Sequence, residues 1–185
     1  IWESGTRAYG NRIGIQLKNN VQKAFISRNI INANQDSGIV LSDGAHNNTI
    51  LSNQITENGM HGILVQGPNT VGNVISQNVI SRNEGKGIQL SDGGNHEIKS
   101  PVITGISWHE YNITGMCDDA PEGSIVEVYT DDDDEGYSFV GRSEVFGNNF
   151  YVSGEFSEDK NLHAVVIHLN GDTSEFGPCE LQERR

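Results

Sequence analysis

The stretch GIVLSDGAHNNTILSNQITENGMHGILV, residues 38–65, holds one full period of an internal repeat, and the fold follows from that repeat. Its opening unit, Gly-Ile-x-(Leu/Val), starts at Gly14, Gly38, Gly62 and Gly87, at steps of 24, 24 and 25 residues. Further columns keep the same phase, namely Asn29, Asn53 and Asn78; Asn34, Asn58 and Asn83; Ile26, Ile50 and Ile75; and Ile31, Ile55 and Ile80. A fixed period of this length indicates stacked, repeated units.

Each period contains about three short β-branched stretches separated by Asn, Gly, Ser and Asp, and leaves no room for an amphipathic helix. Three short strands joined by corners describe one coil. Coils stack about 4.8 Å apart, with each strand paired in parallel to its equivalents above and below. We therefore expect the isoleucine columns to fill the interior. The asparagine columns are expected to occupy left-handed corners and to form amide ladders along the axis.

On these columns, residues 10–97 resemble the right-handed parallel β-helix repeats of the pectin-lyase-like superfamily. The resemblance implies a β-helix domain over residues 1–100, about four coils long. The opening Ile1-Trp2-Glu3 reads as the middle of a repeat, so further coils are expected upstream. Polysaccharide lyases, hydrolases and epimerases of this superfamily carry acids, histidines or basic residues along one face of the stack. The fold alone assigns no activity.

The second half of the chain has a different composition. Residues 1–100 carry 8 basic and 7 acidic residues (net +1), whereas residues 101–185 carry 4 basic and 18 acidic residues (net −14). Candidate strands in the second half are Val102–Thr104, Tyr111–Met116, Ser124–Thr130, Tyr137–Val145, Asn149–Ser153 and Leu162–Leu169. Short strands with frequent turns predict a small antiparallel β-sandwich of immunoglobulin type over residues 101–185. An acidic domain with no basic stripe argues against nucleic acid as a partner.

Residues 101–179 also resemble a module often appended to bacterial surface β-helices. The resemblance rests on the opening NITGMCDDAPEGSIVEV, residues 112–128, and on the closing Gly-Asp-Thr-Ser-Glu-Phe, residues 171–176. It implies an extracellular or cell-surface protein. A module in this position would also cover the open edge of the last coil, which would otherwise be a template for aggregation.

Cys117 and Cys179 are the only two cysteines, and both fall in the second domain. Cys117 follows an early candidate strand and Cys179 follows the Thr-Ser-Glu-Phe segment, so neighbouring strands can bring the two thiols within bonding range. We expect a disulfide between them, which requires an oxidising compartment. The alternative is a pair of unconnected thiols.

Asp43 and Asp92 occupy one column of the repeat, and His46 and His96 follow shortly after them. These four are the candidate catalytic residues. Two coil spacings put the carboxylates about 10 Å apart, at or beyond the roughly 6.5–9.5 Å of inverting glycosidases. The alternative is one Asp-Gly turn used twice, because Asp-Gly is a common corner. We expect the turn interpretation to hold.

An unbroken acidic run, Asp131, Asp132, Asp133, Asp134 and Glu135, is a candidate calcium site because calcium prefers oxygen ligands. Calcium is the only cofactor that the sequence suggests. The run lacks the alternating spacing that turns side chains toward one point, so the alternative is a solvated hairpin tip.

The expected function is a non-catalytic, secreted or cell-surface module with a structural or adhesive role. Polysaccharide or a cell-surface glycan is the candidate partner, and Trp108 with Tyr111 forms either a sugar-stacking platform or part of the sandwich core. Two alternatives stay open: the C-terminal fragment of a polysaccharide-active lyase, hydrolase or epimerase whose active coils lie upstream, and a phage or appendage fibre. The sequence holds no 18-residue apolar run and no signal-peptide pattern.

Overall fold

The computed structural model describes residues 10–133 and 135–179, which form two β-rich parts. The strands of the first part are β1 Ile15–Leu17, β2 Phe25–Ser27, β3 Ile30–Asn32, β4 Ile39–Leu41, β5 Thr49–Leu51, β6 Gln54–Thr56, β7 Ile63–Gln66, β8 Val74–Ser76, β9 Val79–Ser81 and β10 Ile88–Ser91. They form three parallel sheets, in the orders β1-β4-β7-β10, β2-β5-β8 and β3-β6-β9. Each sheet is one face of a parallel β-solenoid, as the repeat predicts.

The register of these sheets repeats the step of the sequence. Ile15 pairs with Ile39, Ile39 with Ile63, and Ile63 with Ile88. Inward isoleucines from the second coil onward are at most 2% exposed, namely Ile39, Ile50, Ile55, Ile63, Ile75, Ile80 and Ile88. Stacked β-branched side chains pack well on a pleated surface, so each coil repeats the core of its neighbour. The predicted apolar interior is confirmed.

The glycine that opens each repeat is required by close packing. A Cβ atom added to Gly38 would lie 2.6 Å from Ile55 Cγ2 and 2.8 Å from the carbonyl oxygen of Gly62. Real Cβ atoms essentially never come this close to other heavy atoms. The column therefore marks where two neighbouring coils approach each other too closely for a side chain.

The left-handed corners lie one residue before the ladder asparagines. Positive φ angles occur at Arg28, Ser52 and Gln77 in one column and at Ala33, Glu57 and Arg82 in the other. The expectation that the asparagines themselves are left-handed is therefore wrong for both columns. The preceding residue turns the chain, which leaves the asparagine side chain free to point along the axis.

The second part is a pair of antiparallel sheets. Its strands are β11 Val102–Ser107, β12 Asn112–Met116, β13 Ile125–Asp131, β14 Ser138–Glu144, β15 Asn149–Ser153 and β16 Asn161–Ile167. The sheets have the orders β11-β12-β15 and β14-β13-β16. Ile113 and Phe150 from the first sheet share one buried cluster with Val126 and Leu162 from the second. The two sheets therefore form a small sandwich with its own core.

Residues 168–179, which follow β16, hold no regular strand, but they link both sheets. Thr173 and Gly177 bridge antiparallel to β16, and Cys179 bridges parallel to Ile103 of β11. The segment thereby carries the Gly-Asp-Thr-Ser-Glu-Phe motif along one side of the sandwich. No helix in the described part of the chain is long and apolar enough to cross a membrane.

Candidate functional site

The last coil of the solenoid contacts the sandwich. Side chains of the sandwich accept the hydrogen bonds that the next coil would otherwise accept. Within the solenoid, the N–H of Ser52 donates to the Ser76 carbonyl oxygen at 3.2 Å, one coil further on. In the last coil, the equivalent N–H groups donate to sandwich side chains at 2.6–3.2 Å. The donors are Gly72, Ile75, Gln77, Asn83 and Leu90, and the acceptors are, in that order, Asp172, Thr173, Glu127, Glu135 and Glu175. We call these five acceptors the capping residues.

One amide ladder ends on a capping carboxylate. Asn34 Nδ2 donates to Asn58 Oδ1, and Asn58 Nδ2 donates to Asn83 Oδ1, each at 2.8 Å. Asn83 Nδ2 then donates to Glu135 Oε1, also at 2.8 Å. Asn58 is fully buried, so the ladder lies inside the protein. The predicted ladder is present, and an acidic side chain from the sandwich completes it.

A further amide ladder, absent from the expected columns, also ends at the sandwich. Asn48 Nδ2 donates to Asn73 Oδ1 at 3.0 Å, and Asn95 Nδ2 donates to the Thr173 carbonyl oxygen at 3.2 Å. Asn73 and Asn95 are joined by their own hydrogen bonds across a step of only 22 residues. That shorter step breaks the period, which is why the sequence columns miss this ladder.

Glu127 is a fully buried carboxylate with three hydrogen-bond donors. Ser76 Oγ donates to its Oε1 at 2.6 Å, and the Tyr129 hydroxyl and the Gln77 N–H donate to its Oε2 at 2.6 and 3.0 Å. Burial, and then the charge of Glu127, raise the pKa of Tyr129 well above its ordinary value. The phenol therefore remains a hydrogen-bond donor to the carboxylate.

The Gly-Asp-Thr-Ser-Glu-Phe motif lies directly against the last coil. Beyond its capping contact, Asp172 Oδ2 lies 2.6 Å from His96 Nδ1, and Glu175 forms an ion pair with Lys86 at 2.6 Å. The Phe176 ring packs edge-on against Tyr129, with centroids 5.5 Å apart. Polar and apolar side chains of one short motif thus hold the sandwich to the solenoid.

The candidate catalytic aspartates line one shallow groove across the coils, with a volume of about 410 Å³. Both Asp43 and Asp92 lie in turns and have φ angles of 51°. Gln66 Nε2 donates to Asp92 Oδ2 at 3.0 Å. Asn20 and Asn69 add amide groups to the wall. This arrangement offers hydrogen-bonding groups to a ligand, and it places both acids at Asp-Gly corners.

The two candidate histidines do not join these aspartates. His46 Nδ1 lies 2.7 Å from the Gly44 carbonyl oxygen, and His96 Nδ1 lies 2.6 Å from Asp172 Oδ2. Within the described residues, the wall of the groove includes neither ring. His96 therefore contributes to the capped end, and the sequence grouping of His96 with Asp92 has no counterpart in the site.

The acidic run makes contacts within the protein. The buried Asp131 carboxylate accepts hydrogen bonds from the Asp133 and Glu135 N–H groups at 3.1 and 2.7 Å. Asp132 pairs with Lys160, and Glu135 caps the solenoid. Asp134 lies outside the described residues. No group of three or more His, Cys, Asp or Glu in the described chain is arranged to hold a metal ion. The calcium site stays a prediction that this geometry does not support.

Cys117 and Cys179 are both buried, but β11 lies between them. Cys179 pairs with Ile103, which pairs on its other side with Gly115, two residues before Cys117. Two strand spacings amount to about 10 Å, beyond the roughly 7 Å between Cα atoms that a bridge allows. The described residues accordingly contain no disulfide. Burial raises the pKa of the Cys117 thiol to about 12.

The capping carboxylates are the residues that sequence reasoning missed. The only signal was the concentration of acidic residues after position 100, where 18 acidic residues face 4 basic ones. A fully buried Glu127 in the middle of β13 cannot be distinguished by local pattern from an exposed one. The two aromatic residues named as either a sugar-stacking platform or part of the sandwich core, Trp108 and Tyr111, both contact the Phe156 ring. Their ring centroids lie 5.2 and 6.0 Å from it.

A comparison with protein families agrees with this architecture. The family model described as the right handed beta helix region matches residues 3–154, more than half of the chain. The match runs through the solenoid and continues to the end of β15 in the sandwich. No curated protein and no solved structure gives a significant match. The chain therefore belongs to the right-handed β-helix family.

Proposed function

We propose that this chain is a non-catalytic structural module of a secreted or cell-surface protein, a rigid rod of coils closed at its C-terminal end. The proposal rests on one observation, the pairing of five backbone N–H groups of the last coil with sandwich side chains. An uncovered sheet edge is a template for pairing with other chains. Closure of that edge by the sandwich lets a rod of stacked coils end without polymerising.

The contacts of the candidate acids support a non-catalytic role. Asp43 and Asp92 occupy left-handed corners, and no histidine of the described chain shares their groove. His96, which the sequence places beside Asp92, is paired with the buried Asp172. Residues that a glycosidase would use for acid and base catalysis are therefore used here for turns and docking.

The strand order supports assigning the second part to the immunoglobulin-like sandwiches. One sheet combines β11, β12 and β15, and the other combines β13, β14 and β16, so the chain passes repeatedly between the two sheets. Such crossings are typical of this architecture. The extracellular or cell-surface location rests on the resemblance of this part to modules of bacterial surface proteins.

Removal of the capping contacts tests the closed rod. The double variant Asp172→Ala and Glu175→Ala leaves the N–H groups of Gly72 and Leu90 without acceptors. We expect a lower melting temperature and self-association in size-exclusion chromatography with light scattering. The exposed pair Glu122→Ala and Glu155→Ala makes the same charge change away from the interface and serves as the control. A capping variant as stable and as monodisperse as the control would contradict the proposal.

The non-catalytic assignment has a separate test. The purified protein is incubated with neutral and acidic polysaccharides, and new reducing ends and unsaturated products are measured. We expect neither above the background of a heat-denatured sample. Cleavage that Asp43→Asn or Asp92→Asn abolishes would instead identify the chain as part of a polysaccharide-active enzyme, the main alternative.

A second candidate function is contact with polysaccharide along the groove. It is favoured by the polar wall, to which successive coils contribute amide and carboxylate groups such as Asn20, Asp43, Gln66 and Asp92. Binding on a glycan array that Asp43→Asn and Gln66→Ala weaken together would support it. The remaining alternative, a phage or appendage fibre, predicts a trimer in the same light-scattering measurement.

A further inference from the structure

An aromatic surface lies on the outer face of the sandwich, away from the capped end. Phe146 is 77% exposed and Tyr151 is 54% exposed. Both line one shallow concavity of about 430 Å³, a volume within the range of small-ligand sites. Large aromatic side chains are usually well buried, so two exposed rings in one concavity call for an explanation. We call Phe146, Tyr151 and their polar neighbours the aromatic shelf.

The strand register shows how the shelf is assembled. Tyr151 on β15 pairs with Thr114 on β12, which pairs with Gly105 on β11, so these positions form one row across the sheet. Thr104, at the bulge before Gly105, lines the same concavity. Gly105 adds no side chain to the row. The outer face therefore presents one phenol ring beside threonine hydroxyls on a flat floor.

Phe146 is held in place by a tight hairpin. Phe146 and Asn149 exchange both backbone hydrogen bonds, at 2.8 and 3.0 Å. Between them, Gly147 and Asn148 have φ angles of 53° and 64°, as the two central residues of a type I′ turn require. The Asn149 side chain donates to the Gly147 carbonyl oxygen at 2.6 Å. The turn therefore defines the backbone position from which the Phe146 ring projects.

The composition of the shelf selects the kind of ligand. Two apolar ring faces lie beside the hydroxyl groups of Thr104 and Thr114, the amide of Asn149 and the carboxylate of Glu144. A sugar ring matches this pattern because it combines an apolar C–H face with a rim of hydroxyl groups. The surrounding half of the chain carries a net charge of −14, which repels an anionic ligand.

A protein partner fits the shelf less well than a sugar. Two aromatic rings present at most about 500 Å² even when fully exposed. A stable protein interface needs roughly 800 Å² on each partner. We propose that the aromatic shelf binds a neutral glycan chain, with sugar rings stacked on Phe146 and Tyr151 and their hydroxyl groups bonded to the polar neighbours. The shelf shares no residue with the capping residues. Glycan binding there would be a function in addition to the structural one.

Calorimetric titration with neutral hexasaccharides of β-linked glucose, xylose and mannose tests the proposal, with polygalacturonate as the anionic comparison. We expect at least one neutral hexasaccharide to bind the wild-type chain. Phe146→Ala and Tyr151→Ala should each weaken that binding about tenfold or more, because each removes a stacking surface. Phe25→Ala, which removes an exposed phenylalanine from the solenoid, is the matched control and should bind as wild type does.

Three results would overturn the shelf as a glycan site. They are no binding of any neutral hexasaccharide at millimolar concentration, binding that survives both alanine substitutions, and a preference for polygalacturonate. Melting temperature and oligomeric state are measured on the same samples. Phe146→Ala does not change any capping residue. A negative result for glycan binding would therefore not contradict the closed rod, and a negative result for the closed rod would not affect the test of glycan binding.

Discussion

The interior of the solenoid and its capped end satisfy the same backbone donors with different chemical groups. Between coils, Asn58 Oδ1 accepts from the Asn34 N–H at 3.1 Å, while Asn58 Nδ2 donates onward to Asn83. At the end, Glu135 accepts from both the N–H and the Nδ2 of Asn83. An amide accepts and donates, so it extends a ladder, whereas a carboxylate only accepts and so ends one. A carboxylate therefore ends the ladder of Asn34, Asn58 and Asn83 at the position where a further amide would extend it.

Loss of one asparagine from the interior amide ladder should destabilise the protein most. Asn58→Ala removes three hydrogen bonds of the buried ladder. The Asn34 N–H and Nδ2 lose their acceptor, and Asn83 Oδ1 loses its donor. A buried polar group left without its partner costs about 1–3 kcal/mol. We therefore expect the free energy of unfolding in urea to fall by about 3–5 kcal/mol.

The control for this variant is Asn69→Ala, which removes an exposed amide from a turn. Its effect should stay within about 0.5 kcal/mol. Equal losses of stability in the two variants would show that the ladder contributes no more than a surface asparagine does.

A smaller loss is expected from changing the terminal acid to an amide. Glu135→Gln keeps one acceptor for Asn83 but turns an NH₂ group toward the other donor. Hydrogen bonds to a charged acceptor contribute about 1.5–3 kcal/mol, and we expect the free energy of unfolding to fall by about that amount. Glu155→Gln, on an exposed loop, is the control. A Glu135→Gln protein as stable as wild type would show that an amide ends the ladder as well as a carboxylate does.

One hydrogen bond between neighbouring coils depends on pH. His61 Nδ1 accepts from the Lys86 N–H at 3.0 Å, a contact that requires the neutral ring. Burial, and then the charge of Lys86, lower the pKa of His61 below 6.5, while the charges of Asp36 and Glu175 oppose the shift. The neutral ring therefore stabilises the fold above about pH 6.5, and this contribution is lost as the pH falls through the lower pKa of the folded state.

His61→Asn tests this sign because its Oδ1 can accept the same hydrogen bond without titrating. We expect the drop in melting temperature from about pH 7 to about pH 5 to be smaller in the variant than in wild type. The other ionisable groups are common to both proteins, so the difference isolates residue 61. Parallel pH profiles would contradict the expectation.

The smallest effect is expected at the groove. Asp43→Asn and Asp92→Asn introduce a residue type that tolerates left-handed backbone, and the amide oxygen that replaces the Asp92 carboxylate can still accept from Gln66. Stability should change by less than about 0.5 kcal/mol, and glycan binding should stay within a few-fold of wild type. A hundredfold loss of binding or activity with an unchanged circular dichroism spectrum would show that the groove is catalytic.

The solenoid could be predicted because each coil presents the same environment to the same residue. The column of Ile39, Ile63 and Ile88 therefore predicts the strand register correctly. The left-handed corners were predicted at the asparagines, but they lie one residue earlier. Asparagine favours left-handed backbone in general, whereas the ladder requires its side chain to point along the axis. Gln77 makes that corner before Asn78.

The capping residues could not be predicted, because their function depends on contacts across the domain boundary. Glu127 lies 50 residues from its Gln77 donor, and Asp172 lies 100 residues from its Gly72 donor. No periodicity relates such pairs. The expected disulfide between Cys117 and Cys179 is not present in the described residues, where β11 lies between the segments that carry the two cysteines.

The capping residues bind groups of the last coil and of the segment that follows it, from Gly72 to His96. Coils further from the sandwich can be duplicated or deleted as whole repeats without altering any capping contact. Each such event would move the two ends of the rod by about 4.8 Å. Recombination between equivalent glycines such as Gly38 and Gly62 would thus change the reach of the protein in fixed increments, with the same closed end retained.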